Sequence, residues 1–366
     1  MDDQLVLVIV VVTALAFDFT NGFHDTANVV ATSISTRAMS PRIAVGYAAV
    51  LNFAGAFISL AVAATVASDV VDSGAIQSTT VIFAGLIGAI AWNLATWYFG
   101  LPSSSSHALI GGVVGAVLVA SGPDAVIGDG ILGNVLIPAI VAPILAFAVA
   151  GIAIVICYRV LGAQRPGPVT RAFRMGQVVS GGLLALAHGT NDAQKTMGVI
   201  ALALIINGDL AAGSDPPFWV IVSAATAIAL GTYSGGWRII RTMGTRIIKM
   251  DAAQGFSAQC AGAAVIMAST NFGFPLSTTQ VISGGVMGAG AGKRLSAVRW
   301  GVAGNIVVAW VLTLPGAAAI GALSYLVVDL LGGGALGTVL IAAAAVATVV
   351  VALVRRVRQG LPVPAR

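Results

Sequence analysis

The chain has 366 residues, of which 58% are hydrophobic and only 8% charged, with a mean hydropathy of +0.99 and a formal net charge of +5. Soluble globular proteins carry about 25% charged residues, so there are too few charges here to cover a water-facing surface. A cytosolic enzyme, a nucleic-acid-binding domain and a disordered regulator are excluded, and the composition points to an all-α polytopic membrane protein.

A helix needs about 20 residues to cross roughly 30 Å of hydrocarbon. Apolar stretches of that order fall near 4–34, 42–67, 80–99, 107–121, 131–157, 175–207, 217–236, 255–272, 277–291, 300–325 and 334–354. Polar clusters interrupt 4–34 and 175–207 at their middles, where broken helices are expected. The stretches 107–121 and 277–291 are short for full spans. The N-terminal Met1-Asp2-Asp3 lacks the basic region of a cleavable signal, so the first stretch is expected to stay. Cys157 and Cys260 sit in apolar surroundings and offer neither a disulfide framework nor a Cys-based metal site.

The loops separate by charge sign. Basic residues collect at Arg37/Arg42, Arg159/Arg165/Arg171/Arg174, Arg238/Arg241/Arg246/Lys249, Lys293/Arg294/Arg299 and Arg355/Arg356/Arg358/Arg366. Asp2/Asp3, Asp69/Asp72, Asp124/Asp129, Asp209/Asp215 and Asp329 mark the other loops. Placing the basic set inside predicts an outer N-terminus, a cytoplasmic C-terminus and eleven passes, falling by two for each pair that is a re-entrant hairpin. The same placement makes the basic charge a mark of topology; no nucleic-acid partner is implied.

Two motifs occur twice. Asn21-Gly22-Phe23-His24-Asp25-Thr26-Ala27-Asn28 aligns with His188-Gly189-Thr190-Asn191-Asp192-Ala193-Gln194-Lys195 at an offset of 189 − 22 = 167. Gly100-Leu-Pro-Ser-Ser-Ser-Ser-His107 aligns with Gly273-Phe-Pro-Leu-Ser-Thr-Thr-Gln280 at 273 − 100 = 173. Gly111, Gly112 and Gly115 recur as Gly284, Gly285 and Gly288. Two motifs in the same order at nearly equal offset indicate an internal duplication. The charge map runs the Asp25 segment inward and the Asp192 segment outward. It sets the turn at 102–106 on the cytoplasmic side and its partner on the outer side. The halves are then inverted, the architecture of secondary transporters, whose site lies where the repeats meet. The expected divisions are a first repeat at 1–158, a basic linker at 159–174, a second repeat at 175–326, and a final helix and basic tail at 327–366.

The polar residues carry two chemistries. A charge at the bilayer centre costs about 2.5–3.5 kcal/mol on insertion scales, so Asp25, Asp192 and Lys195 need either function or mutual pairing. An Asp192–Lys195 pair at i, i+3 leaves Asp25 unexplained, and the two carboxylates read as carriers of a coupling cation. In the turns, proline followed by Ser or Thr and a Gly-rich apolar run is a helix start with a hydroxyl cap. Free N–H groups and the positive dipole end there attract anions. Ser104, Ser105, Ser106, Ser277, Thr278 and Thr279 can surround one oxyanion, with no Arg in the spans to assist. The Gly111/Gly115 and Gly284/Gly288 spacings predict close helix packing. His24 and His107 are either proton shuttles or hydrogen-bonded structural groups, and Asp18 lines the path to Asp25 or snorkels to a surface.

An intramembrane hydrolase built from these Ser, His and Asp residues is disfavoured. Two equivalent copies do not make one asymmetric nucleophile site, and neither a Gly-x-Ser-x-Gly elbow nor a His-Glu-x-x-His motif is present.

Both motif pairs resemble those of the inorganic phosphate transporter (PiT) family, whose halves each carry a Gly-x-Asn-Asp-x-x-Asn signature and a Pro-x-Ser-(Ser/Thr)-(Ser/Thr)-His turn. The resemblance spans essentially the whole chain and implies cation-coupled uptake of inorganic phosphate by alternating access, with no further cofactor. It implies that Asp25 and Asp192 serve the coupling ion and that Asn28, Asn191, Lys195 and the hydroxyl turns serve phosphate; relatives imply dimers. His24, Lys195 and Gln280 depart from the family pattern, and Asn52 and Gln259 stand where animal relatives carry membrane Glu. Those departures are similar to the prokaryotic low-affinity branch regarded as proton-coupled, with sodium coupling as the alternative and sulfate as the alternative anion.

Overall fold

The computed structural model describes residues 2–358 and is helical throughout, apart from short connections. In chain order the helices are α1 (Asp2–Ser35), α2 (Pro41–Gly55), α3 (Ala61–Ser68), α4 (Thr80–Phe99), α5 (Ser105–Ala120) and α6 (Gly128–Leu161). They continue as α7 (Pro166–Asn207), α8 (Phe218–Ser234), α9 (Trp237–Arg246), α10 (Ala252–Asn271), α11 (Thr278–Lys293), α12 (Trp300–Leu330) and α13 (Gly334–Arg358). Among them α1, α4, α6 and α12 are long and apolar enough to cross a membrane unaided. The α6 and α12 helices turn Ile140, Ile144, Ile152, Val308, Val311 and Leu312 outward, while Asp18, His24, Asp25, His188, Asp192 and Lys195 lie inside the bundle. An apolar exterior around a polar interior is the arrangement a bilayer selects, because every polar group in lipid has to be satisfied by protein.

The order of elements repeats. Helices α1 to α6 have counterparts in α7 to α12, and details recur at a steady offset. Gly100 and Gly273 end α4 and α10 with φ of +66° and +77°. That left-handed turn is open to glycine without penalty, and the prolines that follow, Pro102 and Pro275, prevent either helix from continuing. Ser104 and Ser277 then cap α5 and α11 by accepting the N–H of His107 and of Gln280. Pro143 lies inside α6 and Pro315 inside α12. Small bridges pair Val71 with Val126 and Ile248 with Val298.

Those bridges decide the path of the short helices. Asp72 N–H donates to Ala125 at 2.9 Å and Ile127 N–H to Val70 at 3.1 Å, so the chain enters α4 and leaves α5 at the same end of the bundle. Arg299 N–H donates to Ile247 at 3.0 Å and ties the ends of the α10–α11 pair in the same way. Each pair is a hairpin, and against the eleven passes read from hydropathy four of the described helices are long and apolar enough to cross a membrane, or five if the bent α8–α9 pair is one span.

Three further expectations are corrected. The signature segments are not breaks: α1 and α7 run continuously through Asp25 and Asp192. Gly22 and Gly189 do not unwind the helices but allow close approach, since a Cβ would sit 2.4 Å from the Ile228 oxygen and 2.2 Å from the Asn52 oxygen. The stretch read as one span at 42–67 is broken between Gly55 and Ala61, and its counterpart bends by 58° between α8 and α9. Most of the expected basic linker is helical, because α7 begins at Pro166. The end of the expected basic tail, 359–366, lies outside the described residues.

Each hairpin's second arm packs on the last long helix of the other half. A Cβ on Gly111 would lie 2.5 Å from the Leu314 oxygen, and one on Gly115 would lie 2.0 Å from the Ala318 oxygen. Gly284 and Gly288 meet Pro143 and Phe147 at 2.4 and 2.0 Å. Gly115→Val is therefore expected to push α5 off α12 at a cost of about 3 kcal/mol, the upper range for overpacking. A lowered thermal midpoint of the purified protein, with Gly46→Val unchanged as control because a Cβ there meets nothing within 4 Å, checks this.

Apolar packing leaves the polar segments in the middle. On α1, Val10, Ala14 and Phe17 belong to one buried cluster and Ala27, Val29 and Val30 to another. On α7, Leu184 and Ala187 belong to the second, and Ala193 and Met197 to the first. The change of cluster falls at the signature on both helices.

Candidate functional site

The two hydroxyl turns, expected on opposite faces, meet inside the bundle. Hairpin geometry carries both tips inward, and Ser106 Oγ of one donates to the Leu276 carbonyl of the other at 2.8 Å. Behind the tips the matched residues His107 and Gln280 lie 3.4 Å apart, so α5 and α11 present their N-termini to one place. The N–H groups of Ser105, Ser106, Thr278 and Thr279 belong to first turns and have no acceptor within their own helices.

The signature helices bring the carboxylates to this junction. Asp25 and Asp192 are buried, and Thr278 Oγ lies 3.5 Å from Asp25 Oδ2 and 3.1 Å from Asp192 Oδ2. Thr279 Oγ donates to Asp25 Oδ1 at 3.2 Å. Asn28 Nδ2 donates to the Thr279 and Thr278 hydroxyls at 2.8 and 3.3 Å. One α1 carboxylate and one α1 amide thus hold the second turn.

Lys195 makes the matching contact from α7. Its position is that of Asn28 plus 167, and its ammonium donates to Ser106 Oγ at 2.6 Å, to the Leu276 carbonyl at 2.7 Å and to Asp192 Oδ1. Where the first half uses a neutral amide, the second uses a cation with all three protons engaged. Pairing within the helix and function are therefore not exclusive readings of Lys195, because the ammonium that pairs with Asp192 also ties the two turns together. Asn191 lies farther out, donating to Thr270 Oγ at 2.8 Å and the Phe274 carbonyl at 3.1 Å, a brace for the base of the turn. Its counterpart His24 lies 3.2 Å from Thr96 Oγ, near the end of α4.

Ser105 and Ser106 join the cluster, with Ser105 Oγ 3.5 Å from His24 Nδ1. Ser104 and Ser277 are engaged as helix caps. The amide oxygens of Asn28 and Asn191 are buried and accept no hydrogen bond among the described residues.

Each carboxylate has a histidine. His24 Nδ1 is 2.7 Å from Asp25 Oδ1, and His188 Nε2 is 3.0 Å from Asp192 Oδ2. Asp25, His188 and Asp192 offer ligand atoms within 4.8 Å of one another. Sequence reasoning did not single out His188, because it matches Asn21 of the first half and the alignment places no histidine there. Its spacing of i, i+4 from Asp192, one face of a helix, was the available signal. Asn52 holds His188 in turn, with Oδ1 3.3 Å from His188 Nδ1 and Nδ2 donating to Thr232 at 2.8 Å. His107 stands behind the tips and does not reach either carboxylate. Asp18 does not snorkel: it is fully buried.

The sequence model of the phosphate transporter family matches residues 21–168 and 162–321. The chain belongs to that family.

This phosphate transporter family member is 52% identical over 345 residues to a "Probable low-affinity inorganic phosphate transporter" of Mycobacterium leprae (strain TN), covering 93% of this chain and 83% of that protein. A protein of the same description from Bacillus subtilis (strain 168) is 44% identical, covering 90% and 100%. A solved structure described as "The sodium-dependent phosphate transporter" is 23% identical, with a TM-score of 0.75 over 89% of this chain and 99% of that one, and shares the fold. Relatives named as transporters leave no place for a hydrolase, and the Ser, His and Asp residues of this family member belong to a transport protein embedded in a membrane.

Proposed function

We propose that the chain moves inorganic phosphate across the cell membrane by cation-coupled symport, with the two halves acting as inverted repeats that expose the junction of the hairpins alternately. The observation that carries this reading is the competition for the turn hydroxyls. Thr278 and Thr279 donate their protons to Asp25 and Asp192, so an oxyanion can accept them only when the carboxylates let go. A proton or metal cation on Asp25 removes its need for those donors and turns them, with the free N–H groups of α5 and α11 and the Lys195 ammonium, toward the anion. Cation and anion then bind together or not at all, which is the requirement for symport. With the cation present the phosphate-loaded junction is also closer to neutral than with phosphate alone, and that lowers the cost of carrying it through low dielectric.

The chemistry of the walls favours phosphate over sulfate. Near neutral pH phosphate retains at least one O–H, which donates to a carboxylate such as Asp192; sulfate has none and would face that oxygen as a repelling lone pair. Histidine beside each carboxylate favours a proton as the coupling ion, since one ring nitrogen can accept a proton while the other donates one. The unpartnered amide oxygens of Asn28 and Asn191 favour the second reading, a sodium ion held by oxygen ligands. The basic ends of α1, α6, α9 and α11 support an outer N-terminus and an inner C-terminus.

The test is uptake of radiolabelled phosphate into proteoliposomes under imposed proton or sodium gradients, with excess unlabelled sulfate. Uptake driven by the proton gradient and indifferent to sulfate is expected. Sodium-driven uptake would replace the coupling ion, and strong sulfate competition would replace the substrate.

A further inference from the structure

Asp18 lies seven residues before Asp25 on α1, fully buried, and neither of its carboxyl oxygens has a hydrogen-bond partner among the described residues. The side chains it faces are Thr196 of α7 and Asn21 one turn further along α1. Both are buried, and Thr196 Oγ and Asn21 Oδ1 are likewise without partners. Thr196 is unusual in this. Thr26, Thr36, Thr190 and Thr313 all return their hydroxyls to the carbonyl four residues back, the ordinary resort of a helical threonine. Thr196 does not, and its hydroxyl is left for Asp18.

The charged groups within reach of Asp18 are Asp192 and Lys195 of α7. Lys195 cannot serve it, because its three N–H groups are spent on Asp192, Ser106 and Leu276. Asp192 is a like charge. The other helices that bury this part of α1 are α4, α8 and α13, and their described side chains include no Asp, His, Lys or Arg. A buried carboxylate with no partner cation is untenable as a bare anion, even with the neutral side chains of Thr196 and Asn21 beside it. Its two carboxyl oxygens, the Thr196 hydroxyl and the Asn21 amide oxygen are all buried and unpartnered among the described residues, a donor set suited to a small hard cation or a proton and to nothing apolar or anionic.

The duplication sharpens the point. Adding 167 to Asp18 gives Ala185, and adding it to Asn21 gives His188. The cluster has no counterpart in the second half, unlike Asp25 and Asp192, so it adds one charge-binding position to a symmetric pair. We propose that Asp18, Asn21 and Thr196 form a second cation position, which takes one monovalent cation, a proton or sodium, on the path to the central carboxylates. The consequence for transport rests on the symport reading: one further positive charge accompanies each phosphate.

The experiment measures the charge moved per phosphate, from the voltage at which net phosphate flux reverses in proteoliposomes, for the unsubstituted chain, Asp18→Asn and Asp18→Glu. Asp18→Asn is expected to lower the ratio by one charge and Asp18→Glu to keep it. Varying the proton and sodium gradients separately identifies the cation. An unchanged ratio in Asp18→Asn overturns the proposal. Should that variant not transport, the thermal midpoint of the purified full-length protein decides, measured against sodium chloride at fixed pH, with choline chloride as control, and against pH. A cation-dependent shift smaller in Asp18→Asn than in the unsubstituted chain supports the site, the central carboxylates accounting for the remainder, and a shift of unchanged size overturns it. Failure of the unsubstituted chain to take up phosphate would count against the transport reading alone, and the thermal measurement would still decide for Asp18.

Discussion

Asp25→Asn is expected to lower gradient-driven phosphate accumulation by about 100-fold while leaving the fold intact. The substitution keeps the volume and one acceptor oxygen, so Thr279 retains a partner where it now donates at 3.2 Å. What disappears is the negative charge. A cation that neutralises a carboxylate at membrane depth relieves about 3 kcal/mol, and forfeiting that coupling energy at 1.4 kcal/mol per tenfold is about two decades of accumulation. The variant also resembles the neutral, cation-loaded form of Asp25, so Thr278 and Thr279 remain available to an anion. Exchange of phosphate for phosphate across the membrane, which needs no net coupling, is therefore expected to stay within about tenfold of the unsubstituted chain by the same arithmetic. Labelled-phosphate counterflow measured beside gradient-driven uptake separates the two. Equal loss of both would make Asp25 a determinant of the binding pocket and remove it as the coupling group.

Lys195→Met is expected to be the most destabilising single change at the site. The methionine keeps the length of the chain but takes away the ammonium that joins Asp192 Oδ1, Ser106 Oγ and the Leu276 carbonyl. Asp192 would be left as a buried, uncompensated carboxylate, and breaking a buried pair from one side costs about 3–5 kcal/mol. Removing the second partner as well should return much of that cost, because the penalty belongs to the charge left behind. The double substitution Lys195→Met with Asp192→Asn is thus expected to melt closer to the unsubstituted protein than Lys195→Met alone. Thermal unfolding of the three purified proteins in one detergent checks this, and additive losses would contradict the pairing.

The comparison of Asn28 with Lys195 shows how a duplicated fold becomes asymmetric. Both side chains leave a signature helix at matched positions, and both reach a hydroxyl of the opposite turn, Thr279 in one case and Ser106 in the other. One bond is between neutral groups and the other is charge-assisted, a stronger class of bond. The two hairpins are accordingly held with unequal strength. That inequality offers a physical reason for one side of the junction to open more readily than the other in an alternating mechanism.

Much of this protein was legible in the chain itself. Composition alone decides for a membrane, because burial of polar groups and exposure of apolar ones follow from the solvent. The duplication is visible because two motifs keep their spacing, and the hydroxyl caps are visible because proline, glycine and serine leave a helix few alternatives. The roles of the repeated glycines follow from the same local logic, and Gly115 and Gly288 meet backbone at 2.0 Å. Tertiary structure decided what spacing cannot reach. Hydropathy has the same value on a helix that crosses and on one that turns back, so it took the contact of Ser106 with the Leu276 carbonyl, which brings the two turns together inside the bundle, to show hairpins. Polar residues in an apolar stretch look like a break, yet α1 and α7 stay helical, since the hairpin tips supply the partners their side chains need. His188 at Asp192, and the solitary Asp18 beside Thr196, lie in contacts between residues far apart in the chain or without a partner in the repeat. Local sequence carries no record of Asp18 beside Thr196, which only packing brings together, whereas the i, i+4 spacing of His188 and Asp192 was legible but lacked a matching histidine in the first half to single it out.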